Sequence, residues 1–361
     1  MVDNRLKRLL IGTIPPPAGG DATWGQQYLA FYKNKNIEVP LVNVSLTGKR
    51  AFNASDRISL FTEIKRAFRI WNSLKNKIKE CHPSIVHFNI NCSKLGTIRD
   101  YITAGILKRK KINFLVHCHC DISYQIGNSK LGRFFLKKLF KRADKVIVIN
   151  SESYKLSESI CHGKSVYIPN FISNASIISN KSISARIKRI VYVGHVKKSK
   201  GIYELLSSTV SFPDIQFVIV GPIDDEFLEY SASKKMKNVV FLGSLTHEKV
   251  IECLDNSDVF LFPSYSEGFS ISLVEAMARG LPCIATDVGS NCDMIENEGG
   301  IIVETKNPNA IIDAIKKIED YELRKRMSLW NIEKVKKAYQ IESVIDRIEE
   351  VYGEIVNESV K

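Results

Sequence analysis

Two doubly wound α/β domains are predicted for this 361-residue chain, and three observations lead there. Short β-branched runs alternate with longer amphipathic stretches along nearly the whole length, the pattern of parallel sheets with helical crossovers. The alternation breaks once, from Pro169-Asn170 to Arg186, where Ser, Asn and Ile follow without helical or strand period. The formal charge changes sign at the same place: residues 1–185 hold 30 Lys and Arg against 11 Asp and Glu, and residues 186–361 hold 22 against 28. The expected organisation is a basic first domain over 1–176, a linker over 177–186, a second domain over 187–340, and a C-terminal helix over 341–361 that crosses back to the first. Both domains are Rossmann-like, and a ligand is expected between them, at the carboxyl ends of the strands.

In chain order the expected strands are Leu6–Gly12, Glu38–Val44, Ser84–Asn89, Asn113–His119 and Lys145–Asn150, then Arg189–Val193, Gln216–Val220, Asn238–Leu242, Val259–Phe262, Cys283–Ala285 and Gly300–Val303. Most are short apolar runs, as strands covered on both faces require. Helical spacing predicts Ala22–Tyr32, Gly201–Ser211, Lys249–Asp255 and Asn309–Ile318, and the last stretch, Tyr321–Val356, is helical as well.

Composition is that of a globular chain, with 44% hydrophobic and 25% charged residues. No apolar run approaches the roughly 18–20 residues of a membrane span. The opening Leu9-Leu10-Ile11 runs into Pro15-Pro16-Pro17 before a signal core can form, so a cytoplasmic location is the expectation. The eight cysteines include no CxxC pair. The run His117-Cys118-His119-Cys120 lies in a strand, where alternate side chains face opposite ways, so its four potential ligands cannot converge on one metal ion.

The net charge of +13 admits nucleic acid, a membrane surface or acidic substrates as partners. No recognition module for nucleic acid is visible, and none is expected as a partner. Residues 129–142, SKLGRFFLKKLFKR, interleave Leu131, Phe134, Phe135, Leu136, Leu139 and Phe140 with six basic residues, among them Arg133, Lys137, Lys138 and Lys141, and with no acid. A helix lying on an anionic membrane fits this pattern. A core-facing helix with a solvated basic side fits it as well. Arg57 to Lys79 repeats the theme with Phe61, Phe68, Ile70 and Trp71.

Three glycine-bearing loops follow predicted strands. Pro15 to Gly20 precedes a helix, and at Gly19 and Gly20 the backbone can approach a ligand closely. The loop from Gly194-His195 to Lys200-Gly201 sets a lysine just before a helix, which suits a diphosphate. The third, PSYSEGFSISLVEAM over 263–277, is the most specific. A buried strand runs into a loop carrying Glu267, and a helix then begins near Ser270 with Glu275 in its early turns. The amides of Phe269, Ser270 and Ile271 are free to hold phosphate oxygens. Two carboxylates beside an anion site would face other parts of the ligand, such as hydroxyls. Eight helical residues span about 12 Å, more than the roughly 5–9.5 Å between glycosidase carboxylates, which leans against hydrolysis.

The segment from Glu267 to Glu275, continued by Ala276-Met277-Ala278-Arg279-Gly280-Leu281-Pro282 and Asp287-Val288-Gly289, resembles the signature of retaining GT-B glycosyltransferases of glycosyltransferase family 4. The Gly19-Gly20 loop, His119 at a strand end, Pro169-Asn170, Lys200-Gly201 and Phe241-Leu242-Gly243 extend the resemblance over nearly the whole chain. It implies a GT-B fold of two Rossmann-like domains facing across a cleft. It also implies transfer of a sugar from a nucleotide-diphosphate donor to a glycan or lipid-linked acceptor, in cell-surface polysaccharide or glycolipid synthesis.

By the same resemblance, Glu267 contacts donor-sugar hydroxyls and Glu275 the ribose. Lys200 and the amides of Phe269, Ser270 and Ile271 hold the diphosphate, Gly19 and Gly20 approach it, and His119 sits by the transferred sugar. No cofactor or metal is implied. One departure stands out: His195 occupies the place of an arginine, and an imidazole does not carry the guanidinium's permanent charge. A sugar-nucleotide epimerase on the same fold and a non-catalytic basic binder are the competing expectations. Nucleotide base, donor sugar, acceptor and oligomeric state are not encoded legibly.

Overall fold

The computed structural model describes residues 2, 5–16, 19–45, 60–93, 96–225, 227 and 236–358, without the side chains of 60 and 175. The chain divides into two units, Met1–Asn170 with Val344–Lys361, and Phe171–Ser343.

The first unit is built on strands β1 (Arg8–Gly12), β2 (Leu41–Asn43), β3 (Ile85–Ile90), β4 (Asn113–Cys118), β5 (Lys145–Val148) and β6 (Ser165–Tyr167), all parallel, in the order β2-β1-β3-β4-β5-β6. Its helices are α1 (Gly20–Asn34), α2 (Leu60–Cys81), α3 (Gly96–Arg109), α4 (Ile122–Ile126), α5 (Lys130–Arg142) and α6 (Ser151–Ile160). One sheet face is apolar: Leu9, Ile11, Val86, Phe88, Phe114 and Val116 pack with Ile70, Leu74 and Ile78 of α2, Leu107 of α3 and Leu139 and Phe140 of α5. Strand alternation sends Arg8, His87, Asn89 and His117 to the other face. All four are buried there.

In the second unit the strands are β7 (Arg189–Val193), β8 (Gln216–Val220), β9 (Val239–Gly243), β10 (Val259–Phe262), β11 (Cys283–Thr286) and β12 (Gly300–Val303), ordered β12-β11-β10-β7-β8-β9 and all parallel. Helices α7 (Ile202–Thr209), α8 (His247–Asp255), α9 (Ile271–Ala278), α10 (Asn291–Ile295), α11 (Pro308–Ile318) and α12 (Tyr321–Ala338) belong to it, and α13 (Ile341–Glu358) follows. A single apolar core runs through the unit, joining Val191, Phe217, Phe260 and Ile284 to Leu205, Met277, Ile315 and Val335.

Each sheet reverses its direction of growth once, between β1 and β3 in the first unit and between β7 and β10 in the second. Loops at the carboxyl ends of the two strands that flank such a reversal diverge and leave a crevice, the usual ligand position in open α/β sheets.

Three sequence expectations change. Residues 177–186 are not a free connector: Ile178 donates its amide to the Ala278 carbonyl, Lys181 reaches the Asp255 carbonyl at 3.0 Å, and Arg324 binds the Ser184 carbonyl. All of these partners lie in the second unit, and the unit boundary falls earlier, after Asn170. The helical stretch expected over Tyr321–Val356 divides where the Tyr339 carbonyl accepts from the Ile172 amide at 2.9 Å, and its second part, Ile341–Glu358, is the C-terminal helix expected over 341–361. Edge strand β6 was not expected, since three half-buried residues carry no period to read.

Helix α13 returns to the first unit on the polar sheet face. There the Arg8 guanidinium meets Glu349 through Nε at 2.8 Å and through Nη2, and the Tyr32 hydroxyl donates to the same carboxylate. Removing one member of a buried pair strands the other charge, at a cost of about 3–5 kcal/mol. Glu349→Ala is expected to lower the urea stability of the chain by that amount. A loss within about 0.5 kcal/mol, the usual range for surface substitutions, would show that the pair contributes little.

Candidate active site

At the reversal of the first sheet, β1 leads into Gly19, whose carbonyl accepts from the Thr23 amide and starts α1. A Cβ at Gly20 would meet nothing within 4 Å, so this helix start faces open space, while Pro17 and Ala18 of the same loop lie outside the described residues. Asp21, in the first helical turn, accepts from Thr13 Oγ1 at 2.8 Å and from Asn91 Nδ2 at 2.6 Å, which ties the loops after β1 and β3 together.

His119 follows directly on β4. Its Nδ1 lies 3.2 Å from the Asn170 Oδ1, so that nitrogen carries the proton, and its Nε2 is buried with no partner among the described residues. Burial brings its pKa down to about 4, with Asp21 and Asn170 opposing, so the ring is neutral at pH 7. Trp24 of α1 lies against it, with ring centroids 4.7 Å apart.

The second unit gathers the other expected residues at its own reversal. The loop after β7 carries His195, whose Nε2 lies 2.5 Å from Asp224 Oδ1, and ends at Lys200. Gly201 adopts φ +69, and a Cβ there would sit 1.9 Å from the Pro263 carbonyl oxygen. Only glycine allows the lysine loop to lie against the strand end of β10 so closely. Lys200 Nζ then reaches Glu267 Oε1 at 2.5 Å, both side chains mostly buried. The sequence assigned these two groups to different parts of a ligand; in the folded chain they are partners.

Ser270 precedes the first residue of α9, and its hydroxyl turns away to donate to Asn291 Oδ1 at 2.9 Å. The helical ladder begins only at Leu273 and Val274, whose amides donate to the Ser270 carbonyl. Phe269 is anchored by its ring against Tyr339, with centroids 5.8 Å apart. The Asp287-Val288-Gly289 element acquires a physical reason: a Cβ at Gly289, where φ is +58, would lie 2.2 Å from the Glu267 carbonyl oxygen. Glycine there lets the Glu267 loop pack down. Glu275, one face further along α9, accepts from His247 Nε2 at 2.8 Å, a contact that raises the His247 pKa.

Sequence reading missed Asp21, Asp224 and His247. Asp21 had a signal, an acid in the first turn beside Gly19-Gly20. The other two had none, because their partners are 29 and 28 residues away. Among the described residues no three His, Cys, Asp or Glu side chains cluster so as to hold a metal ion.

The membrane-facing expectation divides along α5. Leu136, Leu139 and Phe140 enter the core, and Phe135 packs on Tyr101. Leu131 and Phe134 are exposed, at 56% and 53%. Arg133, Lys137, Lys138 and Lys141 surround them in the sequence and are exposed too. On α2, Phe61, Ile64 and Phe68 are exposed as well.

Residues 173–331 match the family model for glycosyl transferases group 1. The chain is 24% identical to the capsular polysaccharide biosynthesis glycosyltransferase CapM of Staphylococcus aureus, over 92% of its own length and 93% of the relative's. It is 28% identical to the N,N'-diacetylbacillosaminyl-diphospho-undecaprenol alpha-1,3-N-acetylgalactosaminyltransferase of Campylobacter jejuni, over 62% of this chain and 69% of that one. Among solved structures, sucrose-phosphate synthase from Thermosynechococcus elongatus superposes with a TM-score of 0.79 at 19% identity, covering 98% of this chain and all of that one. The fold of this chain, two units each with a doubly wound parallel sheet, is GT-B.

His87 and His117, like His119, have pKa values held below the ordinary histidine value by burial. The unfolded chain therefore binds more protons between about pH 4 and 6.5, and stability rises with pH through that window. His247 acts in the opposite sense: its contribution is present below about pH 6.5 and is lost as pH climbs through its raised pKa. Three buried rings against one exposed one decide the sign. The urea midpoint is expected to fall on going from pH 7.5 to 5; a midpoint that stayed level would contradict the neutral, buried state of the three rings.

Proposed function

We infer that this chain, a glycosyltransferase whose residues 173–331 are a glycosyl transferases group 1 domain, moves a sugar from a nucleotide-diphosphate donor to a glycan or lipid-linked acceptor with retention of configuration. The observation that carries this reading is the convergence of Lys200, Glu267, Glu275 and the start of α9 at one strand-order reversal.

In this reading the diphosphate accepts hydrogen bonds from the amides of Phe269, Ser270 and Ile271, where the helix dipole favours negative charge. Lys200 adds a full positive charge, kept in place by Glu267 until the donor arrives. Glu267 then turns its acceptor oxygens to sugar hydroxyls. Glu275, steadied by His247, accepts from the ribose diol, and Gly19 and Gly20 leave their amides accessible to the phosphates. His119, neutral, faces the transferred sugar and accepts from a hydroxyl without repelling positive charge that develops at the anomeric carbon.

The bond from the anomeric carbon to the phosphate oxygen breaks as the acceptor oxygen attacks from the same face. The acceptor proton passes to the departing phosphate. Charge on that phosphate is met by Lys200 and the backbone amides, an electrostatic contribution that needs no metal in the scheme. His195, paired to Asp224, takes the arginine's place beside Lys200 once a phosphate competes for it.

The relatives act in capsular polysaccharide synthesis and on a diphospho-undecaprenol substrate by their names, which supports a cell-surface glycan product. No helix among the described residues is long and apolar enough to cross a membrane. We assign the basic, apolar surface of α5 and α2 to an anionic lipid surface at the cytoplasmic face, where a lipid-linked acceptor would be met.

Two experiments test this. A thermal-shift titration with UDP, GDP and their sugars, without added metal, is expected to show stabilisation by one nucleotide family, about 2.7 kcal/mol at a hundredfold excess over Kd. The shift is lost in Lys200→Ala and Glu275→Ala; no shift with any nucleotide would overturn the reading. Separately, the protein is expected to co-sediment with phosphatidylglycerol vesicles at low salt. Lys137→Glu with Lys138→Glu should weaken that binding at least tenfold, given about 1 kcal/mol per basic residue. Wild-type protein left in the supernatant would remove the lipid surface from the account.

A further inference from the structure

The polar face of the first sheet carries an unbroken hydrogen-bond chain that ends beside His119. Tyr28 of α1 and Tyr352 of α13 join their hydroxyls at 2.6 Å. The Tyr352 hydroxyl lies 2.6 Å from His87 Nδ1, and His87 Nε2 lies 3.1 Å from His117 Nδ1. The His117 and His119 rings lie against each other at a tilt of 34°, with centroids 3.9 Å apart. Trp24 lies against all three imidazoles, at 5.2 Å from His87, 5.1 Å from His117 and 4.7 Å from His119. His87, His117, Tyr28 and Tyr352 are all fully buried, and among the described residues the Nε2 atoms of His117 and His119 have no partner.

A neutral imidazole carries one proton, so the links of such a chain are locked in step. If Tyr352 donates to His87 Nδ1, His87 holds its proton on Nε2 and donates to His117 Nδ1. His117 then holds its own proton on Nε2. If Tyr352 accepts from His87, every link reverses and His117 Nε2 is bare. The donating direction uses the Tyr28 hydroxyl as well, since Tyr28 donates to Tyr352. Asn170 sets the neighbouring ring independently: its oxygen takes the His119 Nδ1 proton and leaves His119 Nε2 an acceptor. One direction of the chain thus gives a donor and an acceptor on two rings whose centroids are 3.9 Å apart, the complement of a single hydroxyl group.

We propose that Tyr352, acting through His87, is a positioning residue that holds His117 with its proton on Nε2, so that His117 and His119 together grip one hydroxyl group. This rests on the transferase reading for the identity of that hydroxyl, a sugar's or an ordered water's, but the tautomer itself does not. Helix α13 then has a part in the chemistry besides closing the core. Positioning partners of this sort are worth about tenfold or more in activity when removed.

The test is the imidazole ¹⁵N spectrum of the full chain without ligand. His117 is expected as the Nε2–H tautomer. Tyr352→Phe, which keeps the ring and removes the hydroxyl, should shift or mix that tautomer, whereas Tyr28→Phe, equally buried, should leave it in place. A His117 proton on Nδ1 in the wild type overturns the proposal, as does a Tyr352→Phe spectrum identical to wild type. Turnover gives the second readout: Tyr352→Phe should lower kcat about tenfold with KM for the sugar nucleotide within about twofold. UDP-glucose, UDP-N-acetylglucosamine and GDP-mannose separate the two hydroxyl sources. A bound sugar nucleotide that moves both Nε2 resonances where UDP or GDP alone does not assigns the hydroxyl to the sugar; equal movement with the bare nucleotide assigns it to water. Binding that moves neither resonance overturns the grip. If none of these nucleotides binds, the transferase reading fails, while the ligand-free spectra still decide the relay.

Discussion

Parallel strands cannot be joined by a tight turn, so the chain must cross back over the sheet between every two of them. All strand-to-helix loops of a unit then lie along one sheet edge, with helix starts and free amides beside them. Where the strand order reverses, two of these loops part instead of packing together. The placement of chemistry in this protein follows from that constraint. Gly19 and Asp21 lie at the first reversal, with His119 at the end of the next strand, β4, and Lys200, Glu267 and the α9 start lie at the second. The glycines that matter act at the same places: Gly201 and Gly289 let loops press against backbone that a side chain would hold off.

The two sheets solve the problem of covering both faces differently. The second unit does it with one continuous apolar core. The first is apolar under α2, α3 and α5 but polar under α1 and α13, where Arg8, Glu349, Tyr32, Tyr28, Tyr352 and His87 form a buried network. Such a face gains little net stability over an apolar one, because desolvation offsets most of the attraction. It does give direction and register, since hydrogen bonds are satisfied in one arrangement only. A polar face that ends at His119 is consistent with a requirement for fixed imidazole orientation rather than for stability alone.

Charge is distributed by a related division of labour. Twelve of the 30 basic residues of the first half lie on α2 and α5, whose inward sides hold the core. Phe134 and Phe68 stay exposed beside those charges. Helix α5 supplies core from one side, as the core-facing alternative required, and leaves a basic surface with Leu131 and Phe134 exposed on the other.

The sequence by itself determined the two sheets, most of their strands and the loops of the candidate site, because these depend on local signals. Apolar runs such as Val259–Phe262 read as buried strands, and Gly-bearing turns before helices read as ligand loops. What it could not show were pairings between distant positions. Arg8 with Glu349 is separated by 341 residues, His87 with Tyr352 by 265, and Lys200 with Glu267 by 67. Residue type says that each is polar and must find a partner if buried, but only the return of α13 and the strand order decide which partner that is. For the same reason nothing in the sequence joins His87 to Tyr352 or to His117, 30 residues further along. Local periodicity is written in neighbouring residues; hydrogen-bond partnership is settled by topology.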